Sequence, residues 1–215
     1  AADDHANGLT HVSCNNITIV GKGKGKTTIL GGFFVNGNQN LKMEQLAVTN
    51  EAGCGLFCTE GLLCEGSGTN VDVTECCFTK CRYFGMCVRE GATATATRCD
   101  FMENGQNGVG CSGANTKVRL NDSTMHHNGW DGLRAYDHAV VDLHGTKTDI
   151  HSNKDCGIVA TSRAKVNIHL PSQHNTSHGN VQEDRVQHAG GSIANINADG
   201  TFTHVVVEEE DDDDN

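Results

Sequence analysis

The sequence predicts an all-β chain wound as a right-handed parallel β-helix, a solenoid of about seven coils with three short strands to a coil. The first observation is self-similarity. Val118-x-Leu120, Met125, Asn128 and Gly132-Leu133 recur as Val141-x-Leu143, Ile150, Asn153 and Gly157-Ile158. The offset is 23 residues from Val118 to Val141 and 25 from Gly132 to Gly157, the length of one solenoid repeat. The second is apolar alternation with period two inside each repeat, the signature of strands with one buried face. The third is composition: 26 Gly, one Pro and 5% aromatic residues suit short strands and tight turns better than a helical core. The right hand follows from the general rule for parallel crossovers.

Taken in order, residues 1–8 read as a flexible lead-in, 9–207 as the solenoid with a capping segment, and 208–215 as an acidic tail. The first coil holds Ile17-Thr-Ile19 and Thr28-Ile-Leu30, joined by a glycine-lysine turn. An inward pair then recurs at Leu41/Met43, Val71/Val73, Ala94/Ala96, Val118/Leu120, Val141/Leu143 and Val166/Ile168. Phe78, Phe101, Met125 and Ile150 supply a second inward position. A bend residue follows, Asn50, Cys81, Asn104, Asn128 or Asn153, and then a glycine, Gly55, Gly85, Gly108, Gly132 or Gly157. A third strand leaves each glycine, with Leu56/Cys58, Met86/Val88, Val109/Cys111, Leu133/Ala135 and Ile158/Ala160 turned inward. Ser192–Ile196 reads as a last partial coil, and Thr201–Val207 as a cover for the open end.

One coil cannot bury its own apolar residues, but coils stacked about 4.8 Å apart bury them in a continuous column. Like then stacks on like. Asn104, Asn128 and Asn153 are expected to form an asparagine ladder, with Cys81 breaking it. From about Ile17 to Ile168 the chain resembles right-handed parallel β-helix proteins with short pectin-lyase-like repeats. The stretch ITIVGKGKGKTTI, Ile17–Ile29, is similar to their opening coils. The resemblance implies the fold; it leaves open polysaccharide lyases, glycoside hydrolases, uronate epimerases and non-catalytic modules. The Asp-Asp and Arg-Ile-Lys signatures of polygalacturonase-like enzymes are absent from the coils, and only His144-Gly145 and His178-Gly179 echo the His-Gly one. The Asp-Pro-His-Glu of mannuronan epimerases is also absent, with Asp137-His138 its nearest echo.

Several chemistries are set aside. Net charge is -11, and Glu208–Asp214 carries seven of those charges, so no basic stripe invites nucleic acid. No apolar run approaches the roughly 20 residues of a membrane span. Gly25-Lys26-Thr27 imitates the end of a P-loop, but Val20 stands where its first glycine belongs, and β-branched residues follow in place of a helix. Lys22, Lys24 and Lys26 are therefore expected in a surface turn, and no cofactor is expected. The 11 cysteines are odd in number and contain no C-x-x-C pair. With Cys58, Cys76, Cys99 and Cys111 inward, they read as free core thiols and an intracellular setting. Cys76 and Cys99, at matching places one coil apart, are the pair within disulfide reach. His126 and His151 share one coil position with Asp149 beside them, the weak candidates for a metal.

The binding face is expected on the strands that follow each glycine. They present Phe57, Thr59, Arg89, Ser112, Arg134, Tyr136 and Thr161 outward, with Asp137 and His138 at the end of the Tyr136 strand. Arg89 and Arg134 offer bidentate donors and Tyr136 a stacking surface, suited to an acidic glycan or a protein partner. The step from Gly55 to Val71 is 16 residues where later coils take 9 or 10, so Glu60–Gly68 is expected to project as a loop walling this face. The favoured function is a non-catalytic recognition or scaffold module. The alternative is a polysaccharide-active lyase or epimerase with an atypical site.

Overall fold

A computed structural model describes residues 9–37, 39–51, 59–169 and 176–205. The lead-in 1–8 and the acidic run 208–215 lie outside the described residues. The chain is a right-handed parallel β-solenoid of three sheets. Each coil contributes one strand to each sheet in turn; among the described residues sheet A has eight strands, sheet C seven, and sheet B eight plus a ninth that folds back antiparallel. The coil Met86–Arg89, Thr93–Thr97, Asp100–Met102 is representative. Its strands pair in register with Val109–Ser112, Lys117–Asn121 and Thr124–His126 of the next coil. No helix among the described residues is long and apolar enough to cross a membrane.

Period-two alternation positions everything else. All six inward pairs of sheet B are buried, as are Phe78, Phe101, Met125 and Ile150 of sheet C. Like stacks on like: the rings of Phe78 and Phe101 lie 5.3 Å apart and 7° from parallel. The bend column is a chain of side-chain amides. Asn104 Nδ2 donates to Asn128 Oδ1 at 3.0 Å, Asn128 to Asn153 at 2.9 Å, and Asn153 to Asn180 at 2.8 Å. Asn180 extends the ladder one step beyond the sequence expectation. Cys81 ends it at the other side, where its backbone N–H donates to Asn104 Oδ1.

The glycines beside the ladder are required by crowding. A Cβ on Gly108 would stand 2.8 Å from the Gly132 carbonyl oxygen and 2.9 Å from Asn128 Nδ2, closer than side chains tolerate. The same carbonyl clash recurs at Gly61, Gly85 and Gly132.

The column corrects one coil. Sheet A is continued by Leu62–Glu65, which pairs with Phe33–Asn36 on one side and Met86–Arg89 on the other. The stretch Glu60–Gly68 therefore holds a sheet A strand, Leu62–Glu65, and is no wall, and Gly61 takes the column place expected of Gly55. Measured from Gly61, the step to Val71 is 10 residues, in line with its neighbours. The insertion instead lies between Asn50 and Gly61. Leu56, Phe57 and Cys58 fall outside the described residues, and Thr59 is buried rather than outward.

The ends also resolve. Thr28–Leu30 follows the glycine-lysine turn as a strand, where a phosphate loop would need a helix. Ser192–Ile196 stacks in parallel on Lys165–His169, and Phe202–Val205 folds back antiparallel on it. The nine cysteines within the described residues are free thiols, Cys76 and Cys99 among them.

Candidate functional site

In the sheet A strands Leu62–Glu65, Met86–Arg89, Val109–Ser112 and Leu133–Tyr136, the second and fourth positions face outward. Register places Glu65, Arg89, Ser112 and Tyr136 in one outward row, and Leu63, Cys87, Gly110, Arg134 and Val159 in the other. The sequence thus brings Arg89, Ser112, Arg134 and Tyr136 onto one face as expected. It does not leave the arginines free. Arg89 Nε and Nη2 both meet Glu65 Oε1, and Glu65 is nearly buried. Arg134 Nη1 donates to Asp131 Oδ2 at 2.8 Å. Asp131 is the buried half of that pair. Burial pushes its carboxyl above the ordinary carboxylate value, against the pull of Arg134.

Asp131 is a clamp as well as a counter-ion. Its Oδ1 accepts from the Cys156 backbone N–H at 3.1 Å, while its own N–H donates to Asn107 Oδ1. Asp131, Asp155 and Cys156 bring their ligand atoms within 4.8 Å of one another, yet both Asp131 oxygens are already committed to fold contacts.

Asp137 and His138 sit apart from the sheet face. Both take left-handed backbone (φ 52° and 66°) in the exposed turn between Tyr136 and Val140. The His138 N–H donates to the Ser162 carbonyl of the next coil's turn, so their placement is set by turn stacking.

Two aromatic residues absent from the expected site border this face. Trp130, the sole tryptophan, is 48% exposed in the turn before Leu133–Tyr136. Phe84 lies over Gly110, where a Cβ would stand 3.1 Å from its ring. A large apolar residue at a polar turn position was the available signal for both.

On sheet C, His126 and His151 stack as their register predicts, ring centroids 5.0 Å apart and 5° from parallel. His127 joins them, its Nδ1 2.7 Å from that of His126. Asp149 turns to another partner, with His178 Nε2 3.0 Å from its Oδ1. Burial, then the neighbouring His151 and His127, pull His126 below the ordinary imidazole value; Asp100 and Glu103 partly oppose them.

The profile of the family described as "Right handed beta helix region" matches residues 7–181. Among solved structures, the A-module of the mannuronan C-5 epimerase AlgE6 from Azotobacter vinelandii shares 11% identity. The match covers 88% of each chain with a TM-score of 0.36. No curated protein matches the chain. The profile spans most of the sequence and coincides with the stacked coils, and the chain belongs to the right-handed β-helix family.

Proposed function

We propose that the protein is a non-catalytic recognition module that holds a glycan across the outward face of sheet A. One observation carries the reading. Along the chain, an exposed Trp130 and the outward Tyr136 flank the Arg134–Asp131 pair on the segment that enters and forms the strand Leu133–Tyr136. Aromatic faces stack on the apolar faces of sugar rings, and a fixed planar guanidinium orients hydroxyl or carboxylate groups. The Asp131 contact uses Nη1 of Arg134, and the partly exposed guanidinium carries further donors that a ligand could take. With Arg89 and Arg134 each matched by a carboxylate, the face favours stacking and hydrogen bonding over bulk attraction to anions.

The test uses the single tryptophan. Neutral and uronate-containing oligosaccharides are titrated while Trp130 emission is followed, and each mixture is then checked by mass spectrometry for cleaved or isomerised sugars. A saturable change that weakens about tenfold or more in Tyr136→Ala, with sugars recovered intact, supports the reading. Unsaturated or inverted uronates would replace it with the lyase or epimerase alternative. Binding untouched by Tyr136→Ala but abolished by His126→Ala with His151→Ala would move the site to sheet C.

A further inference from the structure

Sheet B carries a second constellation that the glycan reading does not use. In Val140–His144 the alternation turns Asp142 and His144 outward. In Lys165–His169, the next coil, it turns Asn167 and His169 outward. Register sets Asp142 beside Asn167, and one step on His144 lies against His169. Their rings stack with centroids 4.1 Å apart and 11° from parallel. His169 Nε2 lies 2.9 Å from Asp142 Oδ1, and Asn167 Nδ2 donates to that same oxygen at 2.9 Å. One ligand atom from each of Asp142, His144 and His169 lies within 4.8 Å of the others.

We propose that Asp142, His144 and His169 form a binding site for a divalent transition-metal ion, with zinc the best fit. Two imidazoles and one carboxylate form a donor set that zinc accepts at roughly 2.0–2.2 Å per ligand. Stacked coils supply what such a site needs. Two strands locked in register hold the donors on one rigid surface, and the inward neighbours Val141, Leu143, Val166 and Ile168 are fully packed beneath them. Asn167 acts on the carboxylate, fixing its orientation as outer partners of metal ligands do. Asp142 and His169 are each about one third exposed, so an ion reaches them from solvent. Three protein ligands leave a fourth position open. Arg119, the register partner of Asp142 on the preceding coil, lies beside it. A carboxylate-bearing ligand on the metal would meet that guanidinium.

The experiment is zinc binding to the whole chain by equilibrium dialysis, with cobalt(II) absorption as a second probe. The expected result is one tight zinc per chain and a cobalt spectrum without a thiolate charge-transfer band. His144→Gln and His169→Gln should each abolish the tight class. Asn167→Ala should weaken it about tenfold. His126→Gln with His151→Gln should leave it intact. Zinc should also protect His144 and His169 of the unmodified chain from acylation by diethyl pyrocarbonate, a readout that needs no variant. Absence of tight binding, a thiolate band, or loss of the site in the His126/His151 variant alone would each overturn the proposal.

Discussion

Asn128 is bonded to the coil on each side of its own: its Nδ2 donates to Asn153 Oδ1, and its Oδ1 accepts from Asn104 Nδ2. It also donates to the Phe101 carbonyl and receives the Asn104 backbone N–H. All of this lies out of water. Asn128→Ala would strand several buried polar groups at once, each costing about 1–3 kcal/mol. The expected loss is about 3 kcal/mol or more, read as a lower urea midpoint at unchanged slope. An unchanged midpoint would mean that the ladder contributes nothing.

The glycine column is a prediction about space. Gly108→Ala places a methyl group against the Gly132 carbonyl and the Asn128 amide. Neither can retreat without disturbing the next coil. The variant should lose about 1–3 kcal/mol, as overpacked sites do. Gly25→Ala, where nothing lies within 4 Å of the added atom, should cost far less.

The Arg134–Asp131 pair gives a prediction with a sign. Removing Arg134 leaves a buried carboxylate whose value burial already raises. Breaking a fully buried pair costs about 3–5 kcal/mol, but Arg134 is 37% exposed, so Arg134→Ala should cost about 1–3 kcal/mol at neutral pH. The deficit exists only while Asp131 is charged. It should shrink as pH falls and Asp131 takes up a proton, and adding Asp131→Asn should recover part of it at pH 7. A deficit independent of pH would point to lost packing instead.

His126 titrates in the opposite sense. Its folded value lies below the usual 6.5, so the folded state binds fewer protons than the unfolded one. Its contribution is intact above about pH 6.5 and is lost as pH falls below that value. Thermal midpoints between pH 7.5 and pH 5.5 should fall less steeply in His126→Gln than in the parent chain. Equal slopes would remove His126 from the account.

Thiol reactivity follows burial. Desolvation pushes Cys81 and Cys87 up to about 12 and Cys64 and Cys111 higher still, while Cys14 is exposed. Maleimide added to the folded protein should mark Cys14 and spare Cys64, Cys81, Cys87 and Cys111 until denaturant is present, as peptide mass spectrometry would show.

Periodicity was legible wherever the repeat had one frame. It failed where two frames matched. Gly55-Leu-Phe-Cys-Thr59 and Gly61-Leu-Leu-Cys-Glu65 spell the same pattern six residues apart, and alternation alone cannot choose between them. Pairing with Phe33–Asn36 and Met86–Arg89 decides it, because only the second frame keeps the next step at its normal length. The face carrying Arg89, Ser112, Arg134 and Tyr136 was readable from alternation. Their ion pairs were not, since Glu65 belongs to the second of the two frames and Asp131 precedes its strand, outside the alternation. The Asp142, His144 and His169 group is encoded in the repeat: Asp-x-His puts two donors on one face, and His169 follows His144 by one repeat of 25 residues.

Chain polarity gives the cap a further meaning. Sheet B adds each new strand in the same direction until Ser192–Ile196, and then Asn197–Thr201 turns the backbone around. Phe202–Val205 therefore presents its outer edge to a newcomer with reversed polarity. A further coil of the existing kind, or the first coil of another copy laid end to end in the same sense, would run antiparallel to that strand, unlike every pairing between the coils before it. The reversal changes the pairing rule at this end of sheet B: a strand running in the column's own direction can join that edge only through the antiparallel hydrogen-bond pattern.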